Sequence, residues 1–178
     1  MSSKNIKVLI TGGAGFIGHH IIKEILLKTS WDIISLDRLD YSGSYNRIDQ
    51  ILESNKLWKK RVKIVWHDLK AEFNPLLIKK IGKPQIILHL AAASHVDRSI
   101  DDPMSFVFDN VVGTTNVLNF ARINNKLEIF IYFSSWNFEI RKQQPSIKYK
   151  LRSYIGNKFT KRKSNKYINF NKFSPRTG

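Results

Sequence analysis

Thr11-Gly-Gly-Ala-Gly-Phe-Ile-Gly18 satisfies two glycine patterns at once, G-x-x-G-x-x-G through Gly12, Gly15 and Gly18 and G-x-G-x-x-G through Gly13, Gly15 and Gly18. Glycines so spaced permit a tight turn and let the backbone approach a pyrophosphate, whose negative charge the N–H groups of a following helix can receive. Asp37 stands 19 residues beyond Gly18, where a carboxylate can accept from ribose hydroxyls. The chemistry implied is the holding of a dinucleotide. An acid at position 37 repels the extra phosphate of NADP, while Arg38 beside it attracts one, so NAD is the favoured cofactor without NADP being excluded.

Such a constellation works only if a strand ends in the glycine turn and a helix leaves it. Ile6-Lys-Val-Leu-Ile10 is a short β-branched run suited to a strand buried on both faces, and Ile17, Ile21, Ile22, Ile25 and Leu26 recur at helical spacing up to about Lys28. Asp32–Leu36 reads as a second strand ending on Asp37, and Val62–Trp66 as a third ending near Asp68. Between them Tyr41 to Lys60 is a loop plus a helix around Ile48, Ile51 and Leu52. Asn74-Pro75 starts a short helix that Gly82-Lys-Pro84 stops before the strand Gln85–Leu90. Asp102-Pro103 caps a longer helix whose Phe106, Val107, Val111, Leu118 and Ala121 form a predicted core stripe, and Glu128–Phe133 is a fifth strand. Five alternations of strand and helix imply an α/β, Rossmann-type doubly wound parallel sheet, with ligands bound beyond the strand carboxyl ends.

The five histidines do not make a metal site, because His19 and His20 are adjacent and are expected to point apart on a helix, and His67, His89 and His95 show no paired-ligand spacing. His89 is expected in the core or behind the site. Lys59-Lys-Arg61 reads as a solvated turn. Without cysteine the chain has no disulfide framework or thiolate chemistry, and with no apolar leader and no run of about eighteen apolar residues it is expected to be soluble and cytoplasmic. The formal charge of +16 is unevenly spread: residues 1–135 hold 18 Lys and Arg against 13 Asp and Glu, whereas 136–178 hold 12 against 1. The excess belongs to the tail, so nucleic acid is not the expected partner of the main domain.

The glycine run is similar to the opening of extended short-chain dehydrogenases, and Leu36-Asp-Arg-Leu-Asp-Tyr-Ser-Gly43 resembles the segment after their second strand. His89-Leu-Ala-Ala-Ala-Ser-His-Val-Asp-Arg-Ser-Ile100 and Asp109-Asn-Val-Val-Gly-Thr-Thr-Asn116 narrow the resemblance to the dTDP-glucose 4,6-dehydratases, over residues 5–135. That resemblance implies a lyase acting on a nucleotide sugar of the dTDP-glucose class with NAD as cofactor, and a homodimer; a UDP-sugar 4-epimerase is the nearest alternative. It assigns Gly12, Gly15, Phe16, Ile17 and Gly18 to the pyrophosphate turn, and Asp37, Arg38, Leu39 and Asp40 to the adenosine ribose. Asp68 and Leu69 go to the adenine, and Leu90, Ala91, Ala92 and Ala93 to the nicotinamide side. Ser94 falls at the boundary with substrate, His95 beside the substrate pocket, and Asp109 at a cofactor-contacting position where related chains often have threonine.

The resemblance stops abruptly. Where the dehydratases read Ser-Thr-Asp-Glu-Val-Tyr-Gly, this chain reads Ser134-Ser135-Trp136-Asn137-Phe138-Glu139-Ile140. Ser135 stands for the hydroxyl residue, but Trp136 and Asn137 replace the acid pair, and neither an indole nor an amide is a general acid or base near neutral pH. Turnover by this chain is therefore expected to be impaired. Tyr154 and Lys158 carry the Tyr-x-x-x-Lys spacing of the family's catalytic pair, with chance spacing in a Tyr- and Lys-rich tail as the competing reading. Residues 136–178 lack Ala and Val and are rich in Lys, Asn, Ile, Phe and Tyr, as a shifted reading frame in an A/T-rich gene would produce. The expected organisation is a Rossmann domain over 1–135, truncated before its substrate domain, followed by an irregular basic tail. The rival readings of that tail are a linker and a basic arm on a non-catalytic dinucleotide module, which would contact nucleic acid through interleaved aromatic and cationic residues.

Overall fold

The computed structural model describes residues 6–40 and 43–133, with the backbone alone at Val96. Five strands, β1 (Lys7–Thr11), β2 (Asp32–Asp37), β3 (Val62–Trp66), β4 (Ile86–His89) and β5 (Ile129–Tyr132), form one parallel sheet in the order β3-β2-β1-β4-β5. The helices are α1 (Gly18–Lys28), α2 (Tyr45–Glu53), α3 (Pro75–Ile81), α4 (Val96–Asp101), α5 (Pro103–Val107) and α6 (Gly113–Ile123), with a 3₁₀ turn at Trp58–Lys60. Strand order reverses between β1 and β4, the point at which such sheets leave a crevice for a ligand.

Each strand's alternation divides its residues between two cores. On one face Val8 and Ile10 of β1 pack with Ile22 and Leu26 of α1 and with Ile48, Ile51 and Leu52 of α2. On the other, Leu9 joins Leu77 and Ile81 of α3 and Val117, Phe120 and Ala121 of α6. The central strand is enclosed beyond its first residue: Val8, Leu9, Ile10 and Thr11 are all 0% exposed. Helix α3 starts as the sequence predicts, Asn74 Oδ1 accepting from the Leu77 N–H at 2.8 Å with proline next.

Several expectations need correcting. Of the predicted stripe on the long helix Ala121 is buried, but Val107 and Val111 are 45% and 58% exposed, and Gly113, Val117 and Phe120 are buried instead. A π-helical turn at Phe108–Val112 joins α5 to α6. No residue of α5 or of this turn is buried, so the helix meets the core through α6 alone. Ile17 likewise leaves the α1 stripe and is 62% exposed. Arg61 does not belong to a solvated turn: its guanidinium donates to the carbonyls of Leu26, Thr29 and Trp31, closing the C-terminal end of α1. Helix α4 has no counterpart among the elements the sequence predicts.

Candidate functional site

A cleft of about 480 Å³ opens at the carboxyl ends of β1, β2 and β4. Its floor is the glycine turn, built by two close approaches. Gly12 has φ +72°, and a Cβ there would lie 2.8 Å from the Ala91 nitrogen; a Cβ on Gly18 would lie 2.1 Å from the Gly12 carbonyl oxygen. The turn can therefore press against the β4 loop while α1 begins beside it. Gly15 differs: its Cβ would meet a single atom, the Gly12 oxygen at 3.1 Å, and would otherwise occupy open space at a residue lining the cleft. Helix α1 carries no side-chain cap and no acid in its first turn. Its N-terminus thus retains the positive end of the helix dipole for an anion.

Asp37 closes the β2 side. Its Oδ2 accepts from the Ala14 N–H at 3.0 Å and its Oδ1 from the Leu39 N–H at 2.9 Å, tying the glycine turn to the end of β2. A carboxylate has about four acceptor positions, so two remain for a ligand's hydroxyls. Arg38 bridges the rim. It donates through both Nη atoms to Asp109, at 2.7 and 2.9 Å, and through Nε to Asp40. The bonds to Asp109 raise the guanidinium's pKa above its ordinary value against the opposing effect of burial. Lys70 Nζ lies 3.5 Å from Asp68 and 3.6 Å from Asp109.

The helix running from Pro103 through the π turn to Ile123 holds the three loops in place. Asp109 holds Arg38 of the β2 loop. Asn110 donates to the Ala93 carbonyl at 2.9 Å and accepts from the Ala93 N–H at 2.8 Å, fixing the β4 loop. Asn116 donates to the Leu69 carbonyl at 2.8 Å, fixing the β3 loop. Thr114 reaches His89 Nε2 at 2.9 Å, and the other ring nitrogen lies 2.6 Å from Thr11 Oγ1. Burial lowers the His89 pKa to about 4, so at neutral pH it is an uncharged tie beneath the site.

Of the residues the sequence assigns to the cofactor, the cleft gathers Gly12, Gly15, Phe16, Ile17, Gly18, Asp37, Arg38, Asp40, Asp68, Leu69, Leu90, Ala91, Ala92, Ala93 and Asp109. Ser94 and His95, assigned to substrate, line it too. Leu39 does not: with φ 53° its side chain turns into the core between sheet, α1 and α2. Ser135, Tyr154 and Lys158 lie outside the described residues. Leu36, Arg47 and His67 also line the cleft, without any local motif that marks them. Arg47 is placed by a donated bond to the Ala14 carbonyl at 3.2 Å, a contact across 33 residues that no local pattern announces. The expectation that His19 and His20 point apart is also wrong. Their rings lie 4.0 Å apart because His19 Nδ1 folds back to the Gly15 carbonyl oxygen. Among the described residues no group of three or more His, Asp or Glu gathers as a metal site, and no helix is long and apolar enough to cross a membrane.

The GDP-mannose 4,6 dehydratase family matches residues 9–137. A dTDP-glucose 4,6-dehydratase of Salmonella typhimurium is 38% identical over 117 residues, covering 66% of this chain and 31% of that protein. Among solved structures, a dTDP-glucose 4,6-dehydratase from Streptomyces venezuelae with NAD bound superposes with a TM-score of 0.57 at 33% identity, over 65% of this chain and 35% of that one. A UDP-glucose 4-epimerase from Bifidobacterium longum in complex with NAD+ and UDP gives 0.61 at 28% identity, over 72% and 37%. The chain thus spans about a third of the length of the relatives it matches.

Proposed function

This chain belongs to the GDP-mannose 4,6-dehydratase family, and from that premise we propose that it holds NAD as the cofactor-binding part of a nucleotide-sugar 4,6-dehydratase of the dTDP-glucose class. The observation carrying this reading is the cleft at the β1–β4 reversal, with the uncapped start of α1 on one side and the Asp37 carboxylate on the other. The open space beside Gly15 fits the approach of a pyrophosphate to bare backbone, and the relatives with NAD bound support the choice of cofactor. When bound, NAD supplies a reversible hydride acceptor for oxidation of the sugar at C4.

The chain's own residues divide the work of binding. Gly12 to Gly18 would receive the pyrophosphate at the α1 N-terminus, Asp37 the adenosine ribose, and Asp68 and Leu69 the adenine. Leu90 to Ala93, anchored by Asn110, would form the wall on the nicotinamide side, with Ser94 and His95 meeting the sugar nucleotide beyond it. We hold Ser135, Tyr154 and Lys158 as candidates for proton handling, but without an Asp-Glu pair at 136 and 137 the elimination of water lacks its acid and base. Binding without dehydration is therefore the proposed behaviour of the chain as given. A UDP-sugar 4-epimerase is the second reading, favoured by the epimerase structure's superposition and served by the same cleft.

Isothermal titration of the full chain with NAD tests the reading. Saturable binding is expected, together with a loss of about tenfold or more in Gly15→Val, whose side chain would fill the space kept for the phosphates. Absence of binding, or equal affinity in the variant, would overturn it.

A further inference from the structure

Arg38 follows the residue proposed to face the adenosine ribose, lines the same cleft, and carries the planar five-donor fork best suited to a phosphate. Left free, it would offer a second negative group a place at that end of the cleft. It is not free. Both Nη atoms are held by Asp109, 71 residues away on the π turn, in a two-bond fork at 2.7 and 2.9 Å, and Nε is held by Asp40. The pair is sheltered, with Asp109 11% and Arg38 29% exposed, and Trp66 Nε1 fixes the Arg38 carbonyl at 2.8 Å.

We propose that Asp109 is a specificity-determining residue: by gripping both Nη atoms of Arg38 it withholds the guanidinium from a 2′-phosphate and reserves the cleft for dinucleotides with a free 2′-hydroxyl. The inference rests on the reading of the cleft as an NAD site. Two effects act together. Geometrically, a 2′-phosphate could gain the fork only by displacing a bidentate carboxylate already in place. Electrostatically, Asp37, Asp40, Asp68 and Asp109 line the cleft against Arg38 and Arg47, with Lys70 beside Asp68 and Asp109, so carboxylates still outnumber cations where an added phosphate would sit. Asp109→Asn keeps size and shape while deleting one negative charge and half of the grip. Asp109→Thr, the residue the family resemblance leads one to expect there, deletes both.

The discriminating quantity is the ratio of NAD to NADP affinity, because loss of a merely structural tie would weaken both cofactors alike. Titrate the full chain calorimetrically with NAD, NADP, 5′-ADP and 2′,5′-ADP, in the native form, Asp109→Asn, Asp109→Thr, Arg38→Met and Arg38→Met/Asp109→Asn, with thermal melts confirming folding of each. The native protein should prefer NAD, and 5′-ADP over 2′,5′-ADP. In Asp109→Asn that preference should narrow by about tenfold, the scale of one charged hydrogen-bonding partner regained. Adding Arg38→Met should restore it, since the narrowing works through the freed guanidinium. Should Asp109→Asn fail to fold, Asp109→Thr reports the same ratio. A ratio unchanged in both Asp109 variants, or narrowing that persists without Arg38, overturns the inference while leaving NAD binding intact. If the native chain binds none of the four probes, the NAD reading falls and takes this inference with it.

Discussion

Lowering the pH from 7 to 4 loads a proton onto the tie between β4 and its neighbours. His89 is 1% exposed, with Thr11 Oγ1 at one ring nitrogen and Thr114 Oγ1 at the other. A neutral imidazole has one donor and one acceptor, and hydroxyl groups can complement either tautomer. A charged imidazolium would have to give up its hydration for these two neutral partners, and burial accordingly lowers its pKa from 6.5 to about 4. The unfolded chain titrates this group near 6.5, so between the two values the unfolded state binds a proton that the native state refuses. Stability therefore falls as the pH drops through that window and the loss levels off below about 4, where both states are charged. The gap between 6.5 and about 4 corresponds to about 3 kcal/mol. Urea unfolding followed by far-UV circular dichroism across this range, for the native chain and His89→Gln, measures it. The native curve should lose about 3 kcal/mol more than the variant, whose amide offers a donor and an acceptor but does not titrate. Parallel native and His89→Gln curves would refute the argument.

Gly18→Ala puts a Cβ 2.1 Å from the Gly12 oxygen and 2.7 Å from the Gly13 Cα, backbone atoms that cannot swing aside, so a loss of about 1–3 kcal/mol in unfolding free energy is expected; an unchanged melting temperature would contradict it. Asp37→Asn should weaken NAD by about 1–3 kcal/mol and NADP less, because it removes a charged acceptor for ribose and a repulsion of the 2′-phosphate. Equal losses for the two cofactors in calorimetry would argue against the ribose assignment. Purified chain incubated with NAD and dTDP-glucose should give no 4-keto-6-deoxy sugar by its alkaline absorbance, since each missing proton-transfer group is worth about 10²–10⁴ in rate. Turnover that vanishes in Tyr154→Phe would instead make the tail a working part of the enzyme.

What the sequence discloses is what neighbours along the chain decide. The glycine turn, its strand and α1 lie within one stretch, and the helix starts at Asn74 and Asp102 carry their caps in their own side chains, Asp102 Oδ1 accepting from the Ser105 N–H at 3.0 Å. Contacts across long separations were hidden. Nothing in Lys59-Lys-Arg61 announces that its arginine closes a helix more than thirty residues earlier, and nothing near Arg38 announces Asp109. For Leu39, position relative to Asp37 suggests the cleft, but its left-handed backbone sends the side chain into the core. The π turn escaped because its residues have ordinary helical torsions, with Phe108 at φ −63° and ψ −45°, and only the accumulated offset distinguishes it.

That offset makes the organising helix a dial with discrete settings. Asp109 and Asn110, inside the π turn, and Asn116, beyond it, meet loops after three different strands while Thr114 meets the end of β4, and one extra residue brings both groups into position. A substitution at one of these positions weakens a single contact. Deleting one residue between Phe108 and Val112 would restore regular winding and rotate the preceding turn by about 100° against α6. Such a deletion would break the connections to Arg38 and Ala93 together while sparing those to His89 and Leu69. Length, more than composition, is therefore the property of this segment on which the fastening of all three loops depends.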